Sequence, residues 1–269
     1  MKIIGIGNAL VDILYRLDDE HLLSEIHLKK DAMTLINERW EHEIEDMTRH
    51  VDKSMANGGS ISNTMVALAR LEREVGFIGR VGDDEMGRFF EGKLCDAGVH
   101  TQLIRGREAT GVAHTFVTPG GSRTFGTLLG AAYYLGPNDI SEEMFRGYDL
   151  LHIEGYLVQN QELIETICQR AKQAGLILSL DLSSFNVVSK NRTYFHHLIS
   201  DYIDIVFANE GEARTAKVAI KTAAGVLLQE VTVAQAAGIA PFAELVKAFQ
   251  SHGADSYMAA LGGSAGKDR

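Results

Sequence analysis

The strongest constraint on this 269-residue chain is its punctuation: short apolar runs alternate with amphipathic stretches that stop at a glycine. Residues 161–174 have helical spacing and close at Gly175, and Leu176-Ile177-Leu178-Ser179-Leu180 follows at once as an apolar strand. Residues 86–97 form a second such helix, stopped by Gly98. Residues 60–71 form a third, with Ile61, Met65, Leu68 and Ala69 on one stripe, and the strand 75–81 lies just beyond it. The runs 2–7, 150–153 and 203–207 read as further strands. Parallel neighbours need a crossover of about this length, and the crossover is right-handed. The expectation is an α/β fold: a three-layer, Rossmann-like, largely parallel sheet with helices on both faces.

Two segments break this rhythm. Residues 13–50 are rich in charge, and residues 113–125 alternate like a hairpin around Pro119-Gly120-Gly121. Both are expected to stand off the main sheet as strands, forming a lid from about 13–50 and 100–126. Open parallel sheets bind ligands at the carboxyl ends of their strands, where such an excursion can cover them. The same strands serve equally well as an antiparallel extension that joins two copies. The tail, 215–269, is enriched in alanine, and its 218–240 stretch holds no clear strand.

Composition narrows the partners. No apolar run is long enough for a membrane span, and residues 1–5 lack the apolar core of a secretory signal. Cys95 and Cys168 lie far apart, without metal-site or disulfide spacing, which fits a reducing cytoplasm. The net charge of −10 offers no basic field for nucleic acid. A phosphorylated small ligand stays possible, because helix N-termini and a metal ion hold phosphate locally.

Four motifs carry candidate chemistry. Gly5-Ile6-Gly7-Asn8 follows a strand, but the third glycine of a dinucleotide fingerprint would fall at Leu10, which disfavours an NAD-dependent reading. Asn8 and Asp12 then lie past the strand, where an ionised Asp12 can accept two adjacent sugar hydroxyls, or the pair can simply cap a turn. Asn57-Gly58-Gly59-Ser60-Ile61-Ser62-Asn63 places two glycines before a helix, exposing backbone N–H groups at its positive end. Gly79-Arg80-Val81-Gly82-Asp83-Asp84-Glu85-Met86-Gly87 is a strand-to-helix turn whose acids suit the helix dipole. The run Asn209-Glu210-Gly211-Glu212 offers oxygen donors suited to hydrated Mg²⁺ or, equally, to a helix cap. Asp181, with Ser183 and Ser184, ends another strand.

Gly7-Asn8-Ala9-Leu10-Val11-Asp12, Gly58-Gly59 with Asn63, 77–84 and 204–213 occur together in the order and spacing of the ribokinase/adenosine kinase (PfkB) family. The resemblance covers roughly residues 1–213. It implies a ribokinase-like fold and transfer of the γ-phosphoryl of ATP, with Mg²⁺, to the hydroxymethyl group of a sugar or nucleoside. By resemblance, Asn8, Asp12, Gly58, Gly59 and Asn63 hold acceptor hydroxyls, with Glu154 a further sugar contact. Asn209 and Glu210 match the family's element near magnesium and phosphate, Glu210 as the metal ligand. A homodimer through the lid is also implied.

The chain departs from the family at its catalytic Gly-Ala-Gly-Asp turn, a tetrapeptide absent from the sequence. In one reading Gly253-Ala254-Asp255 is an altered turn and Asp255 the catalytic base. In the other, 242–252 is a helix, 256–261 a strand, and Gly262-Gly263-Ser264-Ala265-Gly266 a glycine turn in which Gly263 and Gly266 meet ATP, so that the catalytic turn lies beyond Arg269. The alternative to an enzyme is a sugar- or nucleoside-binding protein without phosphoryl transfer.

Overall fold

The computed structural model describes residues 1–216 except 31, together with 220–221 and 227–228. The chain opens with strands β1 (Ile3–Ile6) and β2 (Leu10–Arg16), helix α1 (His21–Glu25), strand β3 (Met33–Leu35), helix α2 (Glu38–Met47) and strand β4 (Lys53–Asn57). Next come α3 (Ser60–Arg70), β5 (Val75–Gly82), α4 (Glu85–Asp96), β6 (Val99–Gly106) and the hairpin strands β7 (Thr110–Val117) and β8 (Arg123–Gly130). Then follow β9 (Leu150–Glu154), α5 (Gln161–Gln173), β10 (Ile177–Asp181), α6 (Phe185–Asp201), β11 (Ile205–Phe207) and α7 (Glu210–Ala216). A short antiparallel pair, β12 (Ile220–Lys221) with β13 (Leu227–Leu228), comes last.

Six strands form the main sheet in the order β11-β10-β9-β1-β5-β6, every neighbouring pair parallel. The pleat sends successive residues of β1 to opposite faces. Ile3 packs with Ile61, Met65 and Leu68 of α3 and Phe90 and Leu94 of α4. Ile4 and Ile6 pack instead with Ile164, Ile167 and Cys168 of α5 and Val188, Phe195 and Leu198 of α6. Burial on both faces explains why these strands are apolar throughout, each large side chain contributing about 1.5–3 kcal/mol. Helix starts are capped by Asp84, Asn160 and Ser184, and Gly98 and Gly175 leave α4 and α5 with positive φ. The chain runs from β1 to β5 and β6 on one side, then crosses to β9, β10 and β11 on the other. That switch leaves a crevice at the carboxyl end of β1, where residues 7–9 lie.

The second sheet has the order β3-β8-β7-β2-β4. Ile13, Tyr15, Val112 and Phe116 face α1 and α2, meeting Leu23, Ile26, Leu28 and Ile44. The expected lid boundaries need correcting. Strand β6, placed in the lid by the 100–126 boundary, pairs in parallel with β5 from Val75↔Val99 to Gly82↔Gly106 and completes the main sheet. The β5–α4–β6 crossover simply continues the βαβ rhythm. Residues 13–50 are not all strand either: Asn37 caps α2 by accepting from the Trp40 N–H, and Ile44 buries its apolar side. The Asn cap, the first-turn Glu38 and Glu41, and apolar positions 40, 44 and 47 were the legible helix signals.

Candidate active site

Two connections carry the chain between the sheets at the carboxyl end of β1: residues 7–9 from β1 into β2, and Gly58-Gly59 from β4 into α3. They are tied together, since the Gly58 N–H donates to the Leu10 carbonyl at 2.9 Å. Gly59 has φ of +84° and abuts the Asn8 carbonyl, so only glycine fits without strain. The α-carbon of Gly58 lies against the Asp12 carboxyl group, whose Cγ is 2.8 Å from where a Cβ would stand. Asn63, one turn into α3, receives a 3.3 Å hydrogen bond from the Asn57 side-chain amide, which also donates to Ser62 Oγ at 3.0 Å. Asp12 thus lies against Gly58, and Asn63 is tied through Asn57 to the strand end that leads into the paired glycines.

Asn8 lies at 6% exposure and is fixed from the opposite side of the sheet switch. Its backbone N–H donates to Glu154 Oε2 at 2.9 Å and its side-chain amide to Glu154 Oε1 at 2.8 Å. Glu154 ends β9 in register with Asp181 at the end of β10. Burial raises the Glu154 carboxyl to about 7, opposed by the Asn8 hydrogen bonds and reinforced by Asp181. Burial likewise raises Asp181 to about 6, against the Ser183 N–H bond and with help from Glu212. Asp12 is also lifted by burial to about 7, opposed by Arg123 of β8. Glu154 and Asp181 stand at the carboxyl ends of neighbouring strands of the main sheet and Asp12 in β2 of the second, and burial is the chief cause of all three upward shifts.

Past β11, Asn209 and Glu212 bond reciprocally. The Asn209 backbone and side-chain N–H groups donate to Glu212 at 2.9 and 2.7 Å, and the Glu212 N–H donates to Asn209 Oδ1 at 2.9 Å. This is a capping box on α7. Glu212 is therefore a carboxylate coupled to Asn209; Glu210 opens the helix, and only its backbone is described. Asn209, Glu212, Asp181, Ser183 and His152 line part of a cavity of about 470 Å³ whose remaining wall is mostly apolar, with Ile3, Leu68, Leu71, Leu150 and Phe207. Burial lowers His152 to about 4, and it bonds Ser179 Oγ at 2.9 Å. A second hollow is lined by Asn8, Leu129, Leu135, Tyr133 and Tyr156.

The donors beside the first cavity are hard oxygens and few in number, which fits a magnesium ion that keeps most of its water. Among the described residues no group of three or more His, Cys, Asp or Glu is placed to cage a metal. Asp255, Gly263 and Gly266 lie outside the described residues. The motifs gave no role of their own to Asn57 or Arg123 and held Glu212 only as one of two carboxylates after Asn209, suited to a metal or a cap. No helix among the described residues is long and apolar enough to cross a membrane.

Comparison with known proteins agrees with this geometry. The chain is 30% identical over 169 residues to 5-dehydro-2-deoxygluconokinase of Geobacillus thermodenitrificans, covering 58% of this chain and 49% of that protein. It is 30% identical over 193 residues to an ATP-dependent ribose-1-phosphate kinase of Halopiger xanaduensis, covering 71% and 62%. The crystal structure of adenosine kinase from Sinorhizobium meliloti superposes with a TM-score of 0.72 at 33% identity, covering 80% of this chain and 67% of that one. The chain thus spans roughly half to three-fifths the length of these curated relatives. Residues 32–247 match the family model of pfkB carbohydrate kinases, and with the ribokinase-like architecture described above this chain belongs to that family.

Proposed function

We propose that this protein transfers the γ-phosphoryl group of ATP to the hydroxymethyl group of a sugar or nucleoside. The supporting observation is the Asp12 carboxyl group seated against Gly58, with Asn63 one turn into the helix that follows. An ionised Asp12 accepts two adjacent hydroxyls, the Asn8 side-chain carbonyl accepts a third, and Asn63 completes the grip. Glu154 acts on the acceptor through Asn8, holding its amide in one orientation. The magnesium–ATP complex supplies the phosphoryl group when bound; Asn209, Glu210 and Glu212 are the proposed residues beside it, with Gly263 and Gly266 on the nucleotide. In the alternative reading, in which 253–255 is the altered catalytic turn, the attacking oxygen loses its proton to Asp255 and the nucleotide role of Gly263 and Gly266 falls away. Positioning and charge stabilisation carry most of such a reaction.

The acceptor is a sugar or a nucleoside, and Tyr133 and Tyr156 in the hollow beside Asn8 favour one bearing a planar ring. Apolar Phe125, Met33 and Leu35 stand side by side on the lid strands, in the register Met33↔Phe125 and Leu35↔Thr127, and support a homodimer through the lid. A cytoplasmic location fits an ATP-consuming enzyme. An ADP-release assay over pentoses, hexoses and nucleosides, paired with calorimetry, tests the reading. Turnover lost in Asp12→Ala supports it, whereas acceptor binding without turnover supports the non-enzymatic binding protein that the missing Gly-Ala-Gly-Asp string motivates.

A further inference from the structure

The β7–β8 hairpin occupies the middle of the second sheet, and β7 pairs with β2 so that Ala113 lies opposite Asp12. Whatever fixes the root of this hairpin also fixes the pitch of the strand that carries Asp12. The hairpin leaves the main sheet through residues 107–109 and returns through 131–139, and both passages are held by one segment, the end of β5 and the start of α4.

Asp84 makes the central attachment. Its Oδ2 accepts the Thr110 backbone N–H at 2.7 Å, and its Oδ1 accepts the Thr110 hydroxyl at 2.6 Å and the Gly87 N–H at 2.7 Å. The Thr110 oxygen in turn accepts the Gly82 N–H at 2.9 Å. Thr110 is 3% exposed, and a Cβ on Gly82 would stand 2.6 Å from Asp84 and 2.8 Å from the Thr110 nitrogen. Arg80 spans the same root, reaching Glu108 before the hairpin at 3.5 Å and Asp139 after it at 3.1 Å. Ala131 N–H closes the ring on the Ala109 carbonyl at 2.7 Å. Burial pushes the Asp84 carboxyl upward, but the Thr110 and Gly87 donors and Arg88 outweigh it, and the group lies below its ordinary range.

A helix cap needs only the bond to Gly87. The two further bonds to a lid residue 26 positions away exceed that need. We propose that Asp84 and Arg80 form a fixed clamp on the root of the β7–β8 hairpin, which makes Asp84 a positioning residue for Asp12. The clamp itself is independent of the kinase reading; only its consequence for acceptor binding rests on it.

Asp84→Asn separates cap from clamp, because the amide oxygen still accepts from Gly87 while its N–H₂ faces the Thr110 N–H donor. Amide hydrogen exchange is followed by mass spectrometry in Asp84→Asn, Thr110→Val, Thr110→Ser and the double variant Asp84→Asn/Thr110→Val. Loss of charge-assisted bonds predicts exchange about tenfold faster in 110–130 and 10–16, with 150–181 unchanged. Thr110→Ser stays at the wild-type rate, and the double variant, which also loses the hydroxyl bonds to Asp84 and Gly82, exchanges faster than Asp84→Asn alone but by less than the product of the two single effects. Exchange that rises equally in both sheets, or fails to rise in the second, overturns the clamp, and Thr110→Val supplies the same test from the lid side if Asp84→Asn does not fold. Where the assay above has found an acceptor, Asp84→Asn weakens its binding about tenfold and Thr110→Ser does not. An unchanged acceptor Kd alongside faster lid exchange removes the positioning role and leaves the clamp.

Discussion

Asn8 presents both its backbone N–H and its side-chain amide to the carboxylate of Glu154, 146 positions further along the chain. The bond ties the first strand connection to the end of β9 and dictates which way the Asn8 amide points. Glu154 is raised from 4.5 to about 7, so the folded state holds its proton where the unfolded chain has released it. Its contribution to stability is complete below about pH 4.5 and is lost as pH climbs through about 7. At about 1.4 kcal/mol per unit, this amounts to about 3 kcal/mol. Tm of the wild type should therefore fall between pH 5 and pH 8, and fall less steeply in Glu154→Gln. Asp12 and Asp181 titrate with the same sign and keep some slope in the variant. Parallel Tm curves for the two proteins would remove Glu154 from the account. The glutamine can be accommodated only if Asn8 turns its amide over, so acceptor KM should rise as well.

If Asp12 grips the acceptor as proposed, it sets the pH dependence of acceptor binding. Unliganded, its carboxyl lies near 7, and only the ionised form accepts two hydroxyl protons. Acceptor affinity should climb about tenfold per pH unit up to that value and then level off. Asp12→Asn should bind about 10- to 100-fold more weakly, the worth of a charge-assisted hydrogen bond, with no slope over the same range. Calorimetry from pH 5.5 to 8.5 measures both curves; a flat wild-type profile contradicts the assignment.

The paired glycines are separable by substitution. Gly58→Ala drives a methyl group against the Asp12 carboxyl and the Leu10 carbonyl, so it should weaken acceptor binding and also cost some stability. Gly59→Ala adds the left-handed penalty at φ +84° to a collision with the Asn8 carbonyl, and should cost more than about 2 kcal/mol. Gly92, inside α4 with nothing within 4 Å of a Cβ, provides the control: Gly92→Ala should gain up to about 1 kcal/mol. Urea unfolding ranks the three.

How far the sequence could be read depended on how local each signal was. The helices 86–97 and 161–174 were placed to within a residue or two because cap, apolar stripe and terminal glycine lie together in the chain, and 60–71 because its apolar stripe follows directly on Gly58-Gly59. Strand β6 carries His100, Gln102 and Arg105 and is half-buried along its middle, so its sequence reads like that of a lid strand, and its pairing with β5 is what places it in the main sheet. Asp12, Gly58, Gly59 and Asn63 were legible as short motifs. The tie between Asn8 and Glu154, and that between Asp84 and Thr110, join residues far apart in sequence, and nothing near either partner announces them. Glu212 was read as one of two carboxylates after Asn209, and its capping-box spacing supported a cap as well as a metal site, so the sequence did not separate the two duties.

Choosing between those two glutamates gives the sharpest test of the nucleotide side of the site. Glu212 is 5% exposed and already receives both Asn209 donors, so its first duty is to hold the turn after β11. Glu212→Gln places an amide N–H₂ against one of those donors and should cost about 1 kcal/mol of stability. If the turn also positions magnesium and phosphate, the variant should in addition weaken magnesium–ATP binding about tenfold and raise the magnesium concentration needed for half-maximal turnover. Asn209→Ser, which keeps an oxygen for the Glu212 N–H, should retain more of that affinity than Asn209→Ala. Titration calorimetry with a non-hydrolysable ATP analogue, with and without magnesium, separates the two duties. A stability loss with unchanged nucleotide affinity would leave Asn209 and Glu212 a cap alone and move the metal to Glu210, where Glu210→Gln should then show the magnesium effect by itself.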